Sequence, residues 1–519
     1  MVYVNIYDQY AFIQEDSDQA PNTVIQKVER RWLGNLTIPF NTIYNNEKID
    51  GTFKLNEPIV TLGYIKERNI DHDIQATFID KNAYINLLVT FEPRLTPMSS
   101  IFDRWDSLEA DELLSRCNSW QSALEKSFPA RRFLTTVMSF KGMSVLATRY
   151  IKPLGPPSRL IGPEVNDVNL KQKLLARYVS MIPNIPDSIQ FPGIYDVWST
   201  SQEFIELLQG DEHEHAVLLN NYFLHLGLQS WIAIGFAIPE GKTAYVLVKS
   251  ADDRPNGFSL WRATTGETFS TSDSFCPLKS VACLISADNV VVCCCCSHKH
   301  TKTHTYTDTQ INTQTSYTHI HTHTYTHTLL QILANVQESD KPNEMKFDNL
   351  QQTSHWRPLF DAKLPYPAHL PSVQPDSLKY KDDDNKDNTE KVKILQESIE
   401  SEIKKSIASW RKRYITRWNR YCVQIFRRLL MRMETLSDEP SRLDHAKELE
   451  SDLSSYQVTG FPLNVPYTGI QAILDLVHST RVHEIDLGDV EFAAAVYISP
   501  YPSDVLSVWL YIASLKKYL

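Results

Sequence analysis

The sequence predicts a multidomain chain: a partial all-β sandwich, then an α+β domain, then a C-terminal helical plus β segment. Three observations carry this. Residues 1–93 alternate β-branched and aromatic runs with turn breakers, 171–261 reads as helices followed by strands, and 394–433 repeats apolar residues at steps of three or four. With 519 residues and 42% hydrophobic content, the chain can bury more than one core. No apolar run approaches the roughly 18 residues that a bilayer crossing needs. The N-terminal stretch lacks the basic start and apolar run of a signal peptide. A net charge of −10 excludes a globally basic nucleic-acid binder. Of eight cysteines, four are consecutive, and Cys117, Cys276, Cys283 and Cys422 show no framework spacing, so free thiols in a reducing compartment are expected.

In chain order, strands are expected at 2–7, 32–40, 51–55 and 83–92, forming a sandwich over 1–93. The first begins at Met1, so further strands are expected upstream. A helical connector with strands covers 94–150, its helix drawn from 101–128, which lacks Gly and Pro. The stretch Lys152-Pro153-Leu154-Gly155-Pro156-Pro157 marks the boundary of the α+β domain, 151–289. Within it, 171–181 and 215–226 read as helices, and 231–236, 243–249 and 258–261 as strands.

Residues 290–335 break the pattern. Four adjacent cysteines lead into Thr-His alternation, which a CA dinucleotide repeat encodes, while a GT repeat encodes Val and Cys. Translated non-coding sequence, with 290–340 unpacked, is the expectation. A zinc tract is the rival, but structural sites space their ligands so that side chains converge, and four neighbours do not. The α+β domain is expected to resume over 336–364 and a disordered Pro-rich then acidic linker to follow over 365–393. One basic amphipathic helix is expected over 394–436, followed by an α/β segment, 437–519, with a helix at 468–479 and strands at 492–498 and 506–512.

The informative motif is Gly210-Asp211-Glu212-His213-Glu214-His215-Ala216, which opens an apolar helix ending at Leu226-Gly227 before a strand. It resembles the nucleophile region of the transglutaminase-like (papain-like) superfamily, where G-x-C-x-D-x-A begins the helix and its N-terminus helps to stabilise a thiolate. On that register Glu212 stands at the cysteine. Thr243, in Thr243-Ala244-Tyr245-Val246, stands at the histidine, and Arg262, between Trp261 and the Gly266 turn, at the acidic or amide residue. The resemblance implies a pseudoenzyme with no catalytic residue, cofactor or metal.

A wider resemblance lies in Trp32-Leu33-Gly34, Ile49-Asp50-Gly51-Thr52-Phe53, Leu62-Gly63-Tyr64, Ala176-Arg177-Tyr178-Val179-Ser180, Phe191-Pro192-Gly193-Ile194-Tyr195-Asp196-Val197-Trp198, Pro239-Glu240-Gly241 and Phe275-Cys276-Pro277-Leu278. These residues resemble the coiled-coil and C2 domain-containing protein 2A family, so that the sandwich would be a partial C2-type domain. The resemblance implies a structural scaffold of the ciliary transition zone, near the basal body, in the cytoplasm and cytoskeleton. Implied partners are transition-zone proteins, including tectonic-type membrane proteins and C2-like subunits. After Asp288-Asn289, where the family continues into a strand, this sequence enters the repeat, as a missed splice site would give.

Other readings compete. An active cysteine hydrolase or transglutaminase would need a displaced nucleophile, with Cys276 the candidate, yet Pro277 follows it and no helix start activates it. Asp211, Glu212, His213, Glu214 and His215 could form a metal or acid–base site, contact a peptide, or simply begin a helix; histidines two apart on a helix point about 200° away from each other. Calcium at Asp8, Glu15, Asp16 and Asp18 lacks the remaining ligands of a C2 site. The basic helix offers a solvent face, a partner surface or a peripheral membrane contact. It does not offer nucleic acid a stacking platform, because Trp410, Trp418 and Tyr421 fall at core spacing.

Overall fold

In a computed structural model of the chain, the described residues are 1–15, 24–61, 82–93, 95, 106–162, 165–191, 197–250, 257–290, 327–361, 371–381, 386–412, 414–435, 451–485 and 490–517. β1 (Val2–Glu15) and β2 (Val24–Ile38) pair antiparallel, with Val2 opposite Ile38. Pro39, which cannot donate to a ladder, then ends the strand, and Phe40 begins a short helix α1 (Phe40–Asn46) where a strand end was expected. β3 (Lys48–Lys54) pairs antiparallel with β4 (Tyr84–Thr90). Asn35 bridges to Asn56, and Leu36, Ile38, Ile43, Ile49, Phe53 and Leu55 fill the small core between the pairs. The described strands thus form two separate two-stranded sheets, and a C2-type sandwich is not established by them. Leu62-Gly63-Tyr64 lies outside the described residues.

The helix expected from residue 101 is α2 (Asp111–Ser127), with Asp111 and Glu112 in its first turn and Leu113, Cys117 and Leu124 buried at helical spacing. Residues 106–110 are not helical, and Ser107 bridges to Ser144 instead. β5 (Thr136–Ser139), β6 (Ser144–Leu146) and, later, β7 (Val197–Trp198) make a small sheet. Between them lie α3 (Val168–Ser180) and the short α4 (Asp187–Gln190), and after them α5 (Ser201–Leu207) and α6 (Glu212–His225). The strands β8 (Ser230–Ala237), β9 (Gly241–Lys249), β10 (Phe258–Arg262), β11 (Glu267–Ser270), β12 (Leu278–Val290), β13 (His327–Asn335) and β14 (Trp356–Pro358) form one sheet in the order β11-β10-β9-β8-β12-β13-β14. Every pairing in it is antiparallel.

Strand alternation splits this sheet between two cores. Ile232 and Ile234 face the helices, packing with Leu175, Tyr178, Leu218 and Tyr222, while Trp231 and Ala233 face Phe347 and Trp356 on the other side. The helix-side core also takes in Leu113, Cys117, Phe133 and Tyr150. Residues 106–150 are therefore part of the helical layer, and the Pro-rich stretch is no gap between cores: Leu154 N–H donates to Asn221 O at 3.1 Å.

Two expectations of disorder are corrected here. Residues 327–335, assigned to the insertion, form β13, with Ile332 and Ala334 fully buried; Asn289 pairs with Thr328, so the strand resumes within the last Thr-His steps. Residues 291–326 lie outside the described residues. Part of the expected linker, 371–381, is docked as a strap. Gln374 Nε2 donates to Tyr150 O (2.8 Å), its Oε1 accepts from Ser201 N (2.9 Å), and Tyr380 Oη donates to Gly155 O (2.7 Å).

The expected single helix at 394–436 is two. α7 (Lys386–Trp410) and α8 (Arg420–Thr435) flank β15 (Arg417–Trp418). They are followed by β16 (Tyr456–Pro466), α9 (Ile470–Ser479), β17 (Val490–Tyr501) and β18 (Val505–Lys517), and the sheet order is β15-β17-β18-β16. Ile399, Ile403 and Ile407 of α7 cover one face of this sheet, and Phe426, Leu429 and Leu430 of α8 cover the other. Two faces cannot be reached by one straight helix. The turn falls at Ile415-Thr416, β-branched residues of low helix propensity, and there the chain adds a strand at the sheet edge. Among the described residues no helix is long and apolar enough to cross a membrane.

Candidate functional site

The chain turns into α6 through Gly210, whose missing side chain leaves room for the Phe204 ring. Asp211 is the N-cap. Its carboxylate accepts from His213 N (2.6 Å) and Glu214 N, Glu214 returns a carboxylate oxygen to Asp211 N (2.9 Å), and the two form a capping box. The other Glu214 oxygen accepts from Ser199 N at 3.1 Å. His213 Nδ1 lies 2.9 Å from Asp211 Oδ2, and the His215 ring nitrogens face the carbonyl oxygens of Asp211 (2.6 Å) and Ile182 (2.9 Å). Asp211, His213, Glu214 and His215 are all buried, so this polar helix start is an inward-facing lock.

Burial would raise the Asp211 carboxyl, but His213 outweighs it and holds Asp211 below the usual carboxylate range. The reciprocal charge lifts His213 against its burial. Burial, then the charge on Asp211, push Glu214 well above the ordinary range and Asp187, whose Oδ2 accepts from Val197 N at 2.9 Å, up to about 7. Burial lowers His215. Among the described residues no group of three or more His, Cys, Asp or Glu is placed to hold a metal ion. Asp16 and Asp18 of the calcium reading lie outside those residues.

Of the three positions marked by the motif, Glu212 opens α6 partly buried and accepts from Asn184 Nδ2 at 3.0 Å. Burial and the Asp211 charge push it up to about 7. Thr243 sits on β9 opposite Gly235, 2% exposed. Arg262 ends β10, where Gly266, at φ +74°, closes the turn by donating to Arg262 O at 2.8 Å. Because α6 packs across β8 and β9, with β10 next in the sheet, the positions lie on a helix start and two adjoining strands. Glu212 and Arg262 are brought within electrostatic range.

The residues that engage Arg262 were not legible in the motif. It is ion-paired with Glu240 in the β8–β9 turn and with Glu267 Oε2 at 3.3 Å; Glu267 Oε1 in turn accepts from Lys54 Nζ of β3 at 2.7 Å. Burial acts to lower the Arg262 pKa, but Glu240, Tyr245, Glu267 and Glu212 raise it above its ordinary value. The N-terminal region closes over the same place: Thr42 Oγ1 donates to Glu240 O at 2.7 Å, and the Tyr84 and Phe275 rings lie 4.5 Å apart. The only sequence signals were the quoted Pro239-Glu240-Gly241 and an acid directly after the Gly266 turn.

The alternative nucleophile is badly placed. Cys276 is 3% exposed and belongs to the core on the sheet face away from α6. Burial pushes its thiol up to about 11, and does the same to Cys117, Cys283 and Cys422, all of them free.

Residues 196–310 match the family described as the CEP76 peptidase-like domain. Over its whole length the chain is similar to Protein CC2D2B of Homo sapiens, 30% identical over 521 residues that cover 100% of this chain and 33% of that protein. It is also similar to Coiled-coil and C2 domain-containing protein 2A of Drosophila melanogaster, 26% identical over 529 residues covering 99% and 35% of the two chains. The chain thus spans about a third of the length of these curated relatives.

Proposed function

We propose that this chain, a homologue along its length of the coiled-coil and C2 domain-containing protein 2 proteins, is a non-catalytic scaffold of the ciliary transition zone. Its transglutaminase-like domain serves as a pseudoenzyme that binds other transition-zone proteins and supports cilium assembly. The observation that carries this reading is the fate of Arg262. Where an active relative needs an acid or amide to orient a base, a guanidinium is locked between Glu240 and Glu267 and tied through Glu267 to Lys54. Acyl transfer to an amide needs a thiolate, a base and a group orienting it. Glu212, Thr243 and Arg262 supply none of the three. The partners in this reading are tectonic-type membrane proteins and C2-like subunits, and the location is the cytoplasmic and cytoskeletal base of the cilium.

Two measurements test it. Tagged full-length protein in ciliated cells is expected between basal body and axoneme; its absence there refutes the assignment. A thiol-reactive activity probe, with amide and transamidation assays beside it, is expected to detect no turnover. Turnover abolished by Cys276→Ala would instead establish the cysteine hydrolase. Glu212→Cys alone is expected to be alkylated by iodoacetamide without turnover, since Thr243 offers no imidazole.

A further inference from the structure

The basic stretch from Lys404 to Arg432 holds ten Lys or Arg residues and no acid, and the fold sorts them. Lys404 and Arg427 both pair with Glu400, Lys405 pairs with Glu402, and Arg428 pairs with Asp452. Arg411 points inward, donating to the carbonyl oxygens of His483 (3.0 Å) and Ile485 (2.6 Å). Arg432 has a partner within the fold, and Arg413 lies outside the described residues. Lys412, Arg417 and Arg420 are left, all exposed and none in an ion pair among the described residues. The nearest acid in the strand register, Glu491 opposite Arg417, is taken up by Asn419 Nδ2 at 2.7 Å.

Along the chain these three cations bracket an exposed apolar turn. Ile415 is 92% exposed, beside Tyr414 (39%), with Tyr421 (60%) at the start of α8. An isoleucine so exposed leaves apolar surface in water, and no described residue covers it. One aliphatic side chain, two tyrosines and three cations are too small a set for the core of a stable protein interface, which buries about 800 Å² on each side. They match the chemistry of a bilayer surface, where aliphatic groups enter the acyl boundary, tyrosines lie at headgroup level and cations meet lipid phosphates. The chain's net charge of −10 does not oppose this, because fields fade beyond about 8 Å in physiological salt.

We propose that the α7–α8 tip is a wedge that docks on an anionic lipid bilayer. It stands independently of the ciliary reading. The purified chain is sedimented with vesicles of phosphatidylcholine alone and of phosphatidylcholine with phosphatidylserine. Binding is expected only to the anionic vesicles and is expected to weaken with salt. Lys412→Glu with Arg417→Glu and Arg420→Glu should abolish it, since each cation near such a surface is worth about five-fold in affinity. Ile415→Asp, at a site open to solvent, should lower it about ten-fold with an unchanged melting temperature. The control is Lys391→Glu with Lys393→Glu, exposed residues about 30 Å away along α7 by helical rise, and it should retain most binding. No vesicle binding by the unmodified chain, equal binding to both vesicle types, or an equal loss in the control overturns the proposal.

Discussion

The start of α6 and the carboxylate of Glu434 in α8 are both buried charge centres, built over very different distances. At α6, Asp211, His213 and Glu214 satisfy one another within four consecutive residues, helped by Ser199 N. Glu434 gathers Arg177 from α3 (Nη2 to Oε2, 3.0 Å), Ser507 (2.7 Å), Trp509 Nε1 and Tyr501 Oη from the C-terminal sheet. The first is a cap that sets one helix start. The second is a clamp between the helical layer that carries α3 and the C-terminal unit, reinforced where Tyr178 Oη meets Pro502 O at 3.4 Å. Their pH responses also differ, because Asp211 is held low as Glu434 is, while two carboxyls in the field of Asp211 are lifted. Burial would raise Glu434, but Arg177 outweighs it and holds it below its ordinary value, whereas burial lifts Asp187 and Glu214 above theirs.

If reach rather than burial decides the cost, Glu434→Ala is the most damaging single change. It takes the buried carboxylate away from the half-buried Arg177 and from the donors Ser507, Trp509 and Tyr501, a loss of about 3–5 kcal/mol. Urea unfolding should show it, with faster proteolysis between the two units. Asp211→Ala should cost about 2 kcal/mol as a lost cap. An Asp211→Ala effect larger than that of Glu434→Ala would break the comparison.

The same contrast governs what the sequence disclosed. Local periodicity revealed β8, β9, β10, α3 and α6 to within a few residues. Partners 257 residues apart, as Arg177 and Glu434 are, leave no local trace. Pro462 and Pro466 masked β16, although proline is tolerated where a strand need not donate. β13 was lost because its first residues are Thr-His repeat letters, and the strap at 371–381 because proline-rich composition gives no sign of what a docked segment packs against. At the candidate site, the helix and strand positions were legible, while the Glu240–Arg262–Glu267–Lys54 chain was not.

Arg262 is the intermediate case, tied both to the nearby β8–β9 turn and, through Glu267, to Lys54, which lies 213 residues before that glutamate. Arg262→Met leaves Glu240 without its cation and should cost about 3 kcal/mol. Adding Glu240→Gln should return part of that by removing the orphaned charge. Thermal melts of both variants, with Lys54→Ala alongside, locate the cost; an additive pair would mean that the contact carries nothing.

A third test removes sequence rather than charge. Val290 lies opposite His327 in the β12–β13 ladder, so an Asn-Gly turn can join them in place of 291–326. Stability should be unchanged or higher by up to about 2 kcal/mol, because a shorter loop costs less to close. A large fall in melting temperature would mean that the repeat supports the sheet, and that long reach matters there too.

The smallest expected effect separates the two centres by pH. Asp187 carries a folded pKa of about 7 against an ordinary 3.8, so the fold favours its protonated form, and its contribution is fully present below the ordinary value and lost as pH rises through 7. His213, also raised, is lost in the same direction, since a lifted histidine stabilises while protonated. Glu434 has the opposite sign: its contribution is present above the ordinary carboxylate range and lost only in acid. Between pH 8 and pH 6 the clamp is therefore constant while the α6 start gains, by about 1 kcal/mol from Asp187. Buried His215 and His483, both lowered, oppose this gain in the unmodified chain. The readout is accordingly the difference between wild type and Asp187→Asn, in which those histidines cancel and the Val197 N–H keeps an acceptor. The wild type should gain a few degrees more in melting temperature on going from pH 8 to pH 6; an equal or smaller gain would mean that Asp187 is ionised in the fold, and that the two centres do not differ in sign.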